Sequence, residues 1–152
     1  MQIKKILYER VAILCLCFAS VNTQQNFQID FPPEEFQQRW ESVYSRIGSN
    51  AVAVIQGFSQ PNGFVMPRQT NTFYYLSGIE TPHAYLLLDG RTKKTTLYLP
   101  PANKKLEKSE GKLLSSEDGP LLRKLVGLDS VKPVDEMTKN FPPDLKLSLI
   151  HI

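Results

Sequence analysis

Apolar and polar positions alternate along this chain with two different periods. Phe36, Trp40, Val43, Tyr44 and Ile47 fall at i, i+4, i+7, i+8 and i+11, the spacing of one helical face. A helix is therefore expected over 31–48. Pro33 suits its first position, Glu34 and Glu35 suit the positive end of its dipole, and Gly48 suits its stop. Ala51–Ile55 is a short β-branched run that predicts a buried strand. Gly57–Pro67 is rich in Gly, Pro, Asn and Ser and predicts a loop. A dense aromatic cluster, Phe73-Tyr74-Tyr75-Leu76, follows and is closed by Gly78. Gly78 fits a helix end or a tight turn at positive φ.

Further on, Ala84–Leu88 and Thr95–Leu99 read as two strands around the polar turn Asp89–Lys94, a hairpin with a six-residue connection. Pro82 biases Thr81 towards extended geometry at the entrance to the first of them. Pro100–Asp118 interleaves Lys104, Lys105, Lys108 and Lys112 with Glu107 and Glu110, the pattern of a solvated loop with a helical piece. Pro120–Val126 reads as a short helix stopped at Gly127, and Val131–Val134 as a weak last strand. Together these elements predict an α/β fold, a mixed β-sheet flanked by helices.

Composition narrows the class. A chain of 152 residues with 41% hydrophobic and 22% charged residues fits one globular domain. No period marks a repeat array, and no apolar run approaches the ~20 residues of a membrane span. The net charge of +3 is unevenly placed, because residues 1–23 carry Lys4, Lys5 and Arg10 against Glu9. The remainder is close to neutral, so no nucleic-acid partner is expected.

Residues 1–23 have the order of a signal peptide: a basic start, the apolar stretch Val11–Ala19, then polar residues. Cleavage after Ala19 is expected, with Thr23 as the alternative, and the product would be secreted or periplasmic. A first core helix or strand is the other reading of this segment. Cys15 and Cys17 both lie in the leader, so the processed chain has no disulfide. Residues 24–34 then read as a linker and 35–141 as the domain. Residues 142–152, DLKLSLIHI after Pro142-Pro143, read as an apolar tail.

Catalytic patterns are sparse. The chain has two histidines, His83 and His151, too few for a histidine-rich metal centre. It carries no H-E-x-x-H, G-x-S-x-G, Walker or G-x-G-x-x-G motif. Asp118 and Asp129 have a spacing used by some dinuclear sites, but along an ideal helix they would stand about 16 Å apart, too far for one metal pair.

One stretch does carry a signature: Arg68-Gln69-x₃-Phe73-Tyr74-Tyr75-Leu76-Ser77-Gly78-Ile79-x₂-Pro82-x-Ala84. It resembles the amino-terminal domain of aminopeptidase P (Xaa-Pro aminopeptidase), within the creatinase/prolidase amino-terminal-like superfamily. The strands Tyr85–Leu88 and Leu97–Pro100 follow where that family has its own. Glu107 and Gly111 resemble a Glu-x₃-Gly pair, with Ser109 where an aromatic usually stands. The resemblance spans about 35–141.

The resemblance implies a mixed sheet flanked by helices. It places the chemistry in a carboxy-terminal pita-bread domain, where two Asp, one His and two Glu hold two divalent ions, often manganese. None of those ligands has a matching position here, so neither catalytic nor metal-binding residues are expected in this chain. The implied whole protein hydrolyses proline-containing peptides and forms a homo-oligomer. Tyr74 is similar to a position that faces an active site across a subunit boundary, or else it is a core tyrosine. Arg68 would anchor a carboxylate or backbone carbonyls, and His83 is a third candidate for a cleft or oligomer contact. The family would continue into the catalytic half, so a truncated chain with non-native last residues is expected. Two other readings stay open: a stand-alone secreted interaction module, and a prolidase-type dipeptidase fragment.

Overall fold

A computed structural model describes residues 27–59, 68–140 and 147–148. The expected signal peptide and most of the apolar tail lie outside the described residues.

Helix α1, Pro33–Ile47, starts with proline in its first turn and ends at Gly48. It places Phe36, Trp40 and Tyr44 in the core, with Val43 and Ile47 packed partly buried against it. Pro33 and Glu34 are thus helical, so the helix begins inside the span expected as a linker. Just before it, Phe27 bridges Ile79, and the Gln28 amide N–H donates to the Gly78 carbonyl at 3.0 Å. Strand β1 is Val52–Gln56 and helix α2 is Asn71–Ser77. Strands β2, Tyr85–Asp89, and β3, Lys94–Leu99, form the hairpin. Helix α3 is Lys104–Glu110, α4 is Gly119–Val126, and β4 is Ser130–Pro133. The two-residue β5 is Leu147–Ser148.

The sheet is mixed, with strand order β4-β3-β2-β1-β5. β1, β2 and β3 are antiparallel neighbours, while β4 runs parallel to β3 and β5 parallel to β1. The central β2 is buried at Leu86, Leu87 and Leu88, and Leu86 and Leu88 point to the face on which the helices pack. Ala53, Ile55, Leu86, Leu88, Leu97 and Leu99 form one core with Phe36 and Trp40 of α1, Phe73 and Leu76 of α2, and Leu122 and Val126 of α4. The expected mixed sheet flanked by helices is the fold observed.

One local detail differs from the sequence expectation, and a second settles an open one. The hairpin connection is Gly90–Lys93, because Asp89 and Lys94 still pair in register. Asp89 looks like a turn residue since it also caps the turn, accepting from the Arg91 amide at 2.9 Å and from its guanidinium. The aromatic cluster is a helix, α2, whose N-cap Thr70 hydroxyl accepts from the Phe73 amide at 3.3 Å.

Two polar contacts tie the layers together. The Trp40 indole N–H donates to the Leu76 carbonyl at 2.8 Å, fixing α1 to α2. The Tyr44 hydroxyl and Thr95 Oγ1 share a buried hydrogen bond of 2.8 Å, fixing α1 to β3. Burial pushes the Tyr44 phenol up to about 12. At the end of α2, Gly78 adopts φ 65. A Cβ there would lie 2.9 Å from the Phe36 ring, so both conformation and space require glycine.

Candidate functional site

The signature stretch folds around one polar side chain. Gln69 Oε1 accepts from the Phe58 amide at 2.6 Å, and its Nε2 donates to the Thr81 carbonyl at 2.6 Å. Its own amide donates to Glu80 Oε2 at 3.0 Å. The segment leaving β1 is thereby tied to the segment entering β2. Gly57 makes the close approach possible, since a Cβ there would meet Gln69 Oε1 at 2.9 Å. The same junction carries a second tie, from the His83 amide to the Phe58 carbonyl at 3.0 Å.

His83 sits at φ 55, a left-handed conformation uncommon for a side-chain-bearing residue. Its exposed side chain lines a cavity of about 610 Å³ at the mouth of the β2–β3 hairpin. Pro82, Pro100, Pro101 and Leu114 supply apolar wall, and Lys104, Glu107 and Glu117 supply charge. The far wall is the excursion from Pro100 to Asp118. It is stapled back by Thr81 Oγ1 donating to the Leu114 carbonyl at 3.1 Å and by the Ser116 amide donating to the Pro100 carbonyl at 3.0 Å. Asp118 holds the end of that wall, accepting from the Ser115 amide and hydroxyl and from Lys112 Nζ at 2.9 Å. Burial pushes the Asp118 carboxyl up, but these hydrogen bonds outweigh it and leave it below the usual carboxylate range.

The three candidate residues do not converge on this cavity. His83 lines it; Tyr74 and Arg68 do not. Tyr74 is half-buried in α2, and burial raises its phenol, helped by the negative charges of Glu80 and Asp30. It therefore stays a neutral hydrogen-bonding group across the physiological range. Arg68 is exposed, immediately before the Gln69 clamp. Gln69 and Glu80, the residues that organise this junction, were not singled out by sequence reasoning; Gln69 stood in the signature as a motif position only. Among the described residues no three His, Cys, Asp or Glu side chains converge as metal ligands, so the divalent pair implied by the resemblance does not fit the described part of this chain. No helix among the described residues is long and apolar enough to cross a membrane. What the geometry provides is an apolar-walled recess with one imidazole and a mixed-charge rim, suited to binding.

The fold and the signature have known counterparts. The family described as aminopeptidase P, N-terminal domain, matches residues 36–150. The chain belongs to that family. A Haemophilus influenzae Xaa-Pro aminopeptidase is 27% identical over 136 residues, which are 83% of this chain and 30% of that protein. Among solved structures, Escherichia coli aminopeptidase P with the inhibitor Pro-Leu superposes with a TM-score of 0.61 at 19% identity. That match covers 72% of this chain and 26% of the other. A Bacillus anthracis structure assigned to aminopeptidase P gives 0.62 at 22% identity, covering 72% and 27%. A further Escherichia coli structure holds zinc in substitution and a bound product. The chain therefore spans less than a third of the length of these relatives and corresponds to their amino-terminal domain.

Proposed function

We propose that this chain is the amino-terminal, non-catalytic domain of an exported, metal-dependent Xaa-Pro aminopeptidase. The family match over 36–150 carries the proposal. In it, the bond before proline is cleaved at a pair of divalent ions, manganese by preference, held outside the residues described here. This domain shapes the substrate cleft and contributes to a homo-oligomer, with Tyr74, Arg68 and His83 as the contacts to test. Two observations support the division of labour: the described residues gather no metal-ligand set, and the chain covers only 30% of its Haemophilus relative.

The test is direct. The purified chain, supplied with manganese and an Xaa-Pro peptide, is expected to release no amino acid and to retain no stoichiometric metal after gel filtration. Metal-dependent release of the first residue by this chain alone would overturn the assignment. Sequencing the transcript beyond codon 152 separates the readings further: an open frame encoding two Asp, one His and two Glu ligands is expected, and a stop codon there would favour a stand-alone module.

A further inference from the structure

A second recess lies away from the His83 cavity, between α1 and α2. Arg39, Val43 and Arg46 of α1 face Thr72, Tyr75 and Leu76 of α2 across a groove of about 640 Å³. The α1 residues are spaced i, i+4 and i+7, a stripe beside the one that enters the core. The floor is unusually well fixed. The Arg39 guanidinium stacks on Phe31 at 4.7 Å, on Phe36 at 5.1 Å and on Tyr75 at 4.3 Å from the ring centroids. It also donates to the Tyr75 carbonyl at 2.7 Å and to Glu35 Oε1 at 3.0 Å. Arg39 is thereby locked in place, while Tyr75 and Phe31 remain 56% and 45% exposed. Tyr75, the aromatic ring that lines the groove, is thus held on the arginine as a preordered apolar surface of a residue type that dominates binding hot spots, with Phe31 beside it on the same guanidinium.

The charged side chains that line this groove have one sign. Arg39 and Arg46 are its charged lining residues, and among the described residues no carboxylate lines it. Glu35 offsets Arg39, so the exposed Arg46 at the far end sets the preference. A single exposed cation beside aromatic rings does not match a polyphosphate backbone, whose binding needs many cations. It does match one carboxylate placed beside one or two apolar side chains.

We propose that the α1–α2 groove is a docking site for an acidic, amphipathic peptide segment of a partner protein, with an apolar side chain between Val43 and Tyr75 and a carboxylate on Arg46. This goes beyond the peptidase assignment and does not depend on it.

The probe is a fluorescein-labelled amphipathic peptide with leucines on one face and glutamates on the other, with its lysine counterpart as control. Fluorescence polarisation on the full chain is expected to show saturable binding of the glutamate peptide only, weakened by salt. Arg46→Glu and Tyr75→Ala are each expected to weaken it about tenfold. Equal binding of both peptides, binding of neither, or unchanged binding by both variants would overturn the proposal. Should a variant fail to fold, amide shift mapping on the unsubstituted chain decides. Shifts are expected in α1 and α2, and shifts confined to the His83 cavity refute the site. Sedimentation covers the remaining occupant: dimerisation of the chain that Arg46→Glu abolishes would assign the groove to a second copy and sink the proposal.

Discussion

Replacing Gln69 by alanine tests whether one side chain holds the signature region in shape. The substitution removes two hydrogen bonds of 2.6 Å, one accepted from the Phe58 amide and one donated to the Thr81 carbonyl. A typical intramolecular hydrogen bond contributes about 1 kcal/mol net, and more when its loss strands a buried partner. Thr81 is buried, whereas Phe58 is exposed and its amide can turn to water. The expected loss is therefore about 2 kcal/mol, most of it from Thr81. For a domain of this size that corresponds to a fall in Tm of roughly 8 °C. Gly57→Ala should act in part through the same contact, since its Cβ would press on Gln69 Oε1 at 2.9 Å as well as on the Ala84 carbonyl at 3.0 Å. The two substitutions are thus expected to be non-additive, the double variant costing clearly less than the sum of the singles. Urea denaturation of the four proteins, with unchanged m-values, measures this. A Gln69→Ala variant that melts within about 1 °C of the parent, or two fully additive losses, would refute the clamp.

Two further outcomes follow from the geometry. Gly78→Ala forces a left-handed alanine and presses a methyl against the Phe36 ring, so it should cost about 2–4 kcal/mol by denaturation; a neutral result would contradict the packing of α1 on α2. Acid should destabilise the chain through Asp89 and Asp118. The hydrogen bond from Arg91 holds Asp89 below the usual carboxylate range against opposing burial, and Asp118 is also held low. Both therefore contribute stability above their unfolded values near about 4 and lose it as the pH falls through the lower folded values. Melting curves from pH 7 to 3 should be flatter for Asp89→Asn with Asp118→Asn than for the parent, and identical curves would refute the assignment.

The hairpin at the centre of the sheet was easy to see because AYLLL and TTLYL are hydrophobic enough to stand out whatever surrounds them, whereas β4, SVKP, reads only as a weak strand and β5 lies in the segment read as an apolar tail. Helix α1 was equally plain, since its core face repeats over three turns. Helix α2 was hidden by its length and by its divided loyalties. In seven residues it sends Phe73 and Leu76 into the core and leaves Tyr75 exposed, so no period has room to emerge. The hairpin was misjudged by one residue at each end because Asp89 is both a strand terminus and a turn cap. The Gln69 clamp was out of reach for a different reason: its partners lie eleven and twelve residues away in chain, and only the closed loop brings them together. The candidate residues fared unevenly for the same cause. Arg68, Tyr74 and His83 are near in sequence, but the chain passes through α2 and a turn between them, and only His83 reaches the cavity wall.

Trp40 is the one tryptophan in the chain, and it is sealed where α1 crosses α2 with its indole bonded to Leu76. The molecule therefore carries its own optical gauge of that crossing. Its emission should be blue-shifted while the two helices stay in register and should redden as soon as water enters between them. Separation of the helix pair is thus visible in an unlabelled sample, independently of what happens to the strands.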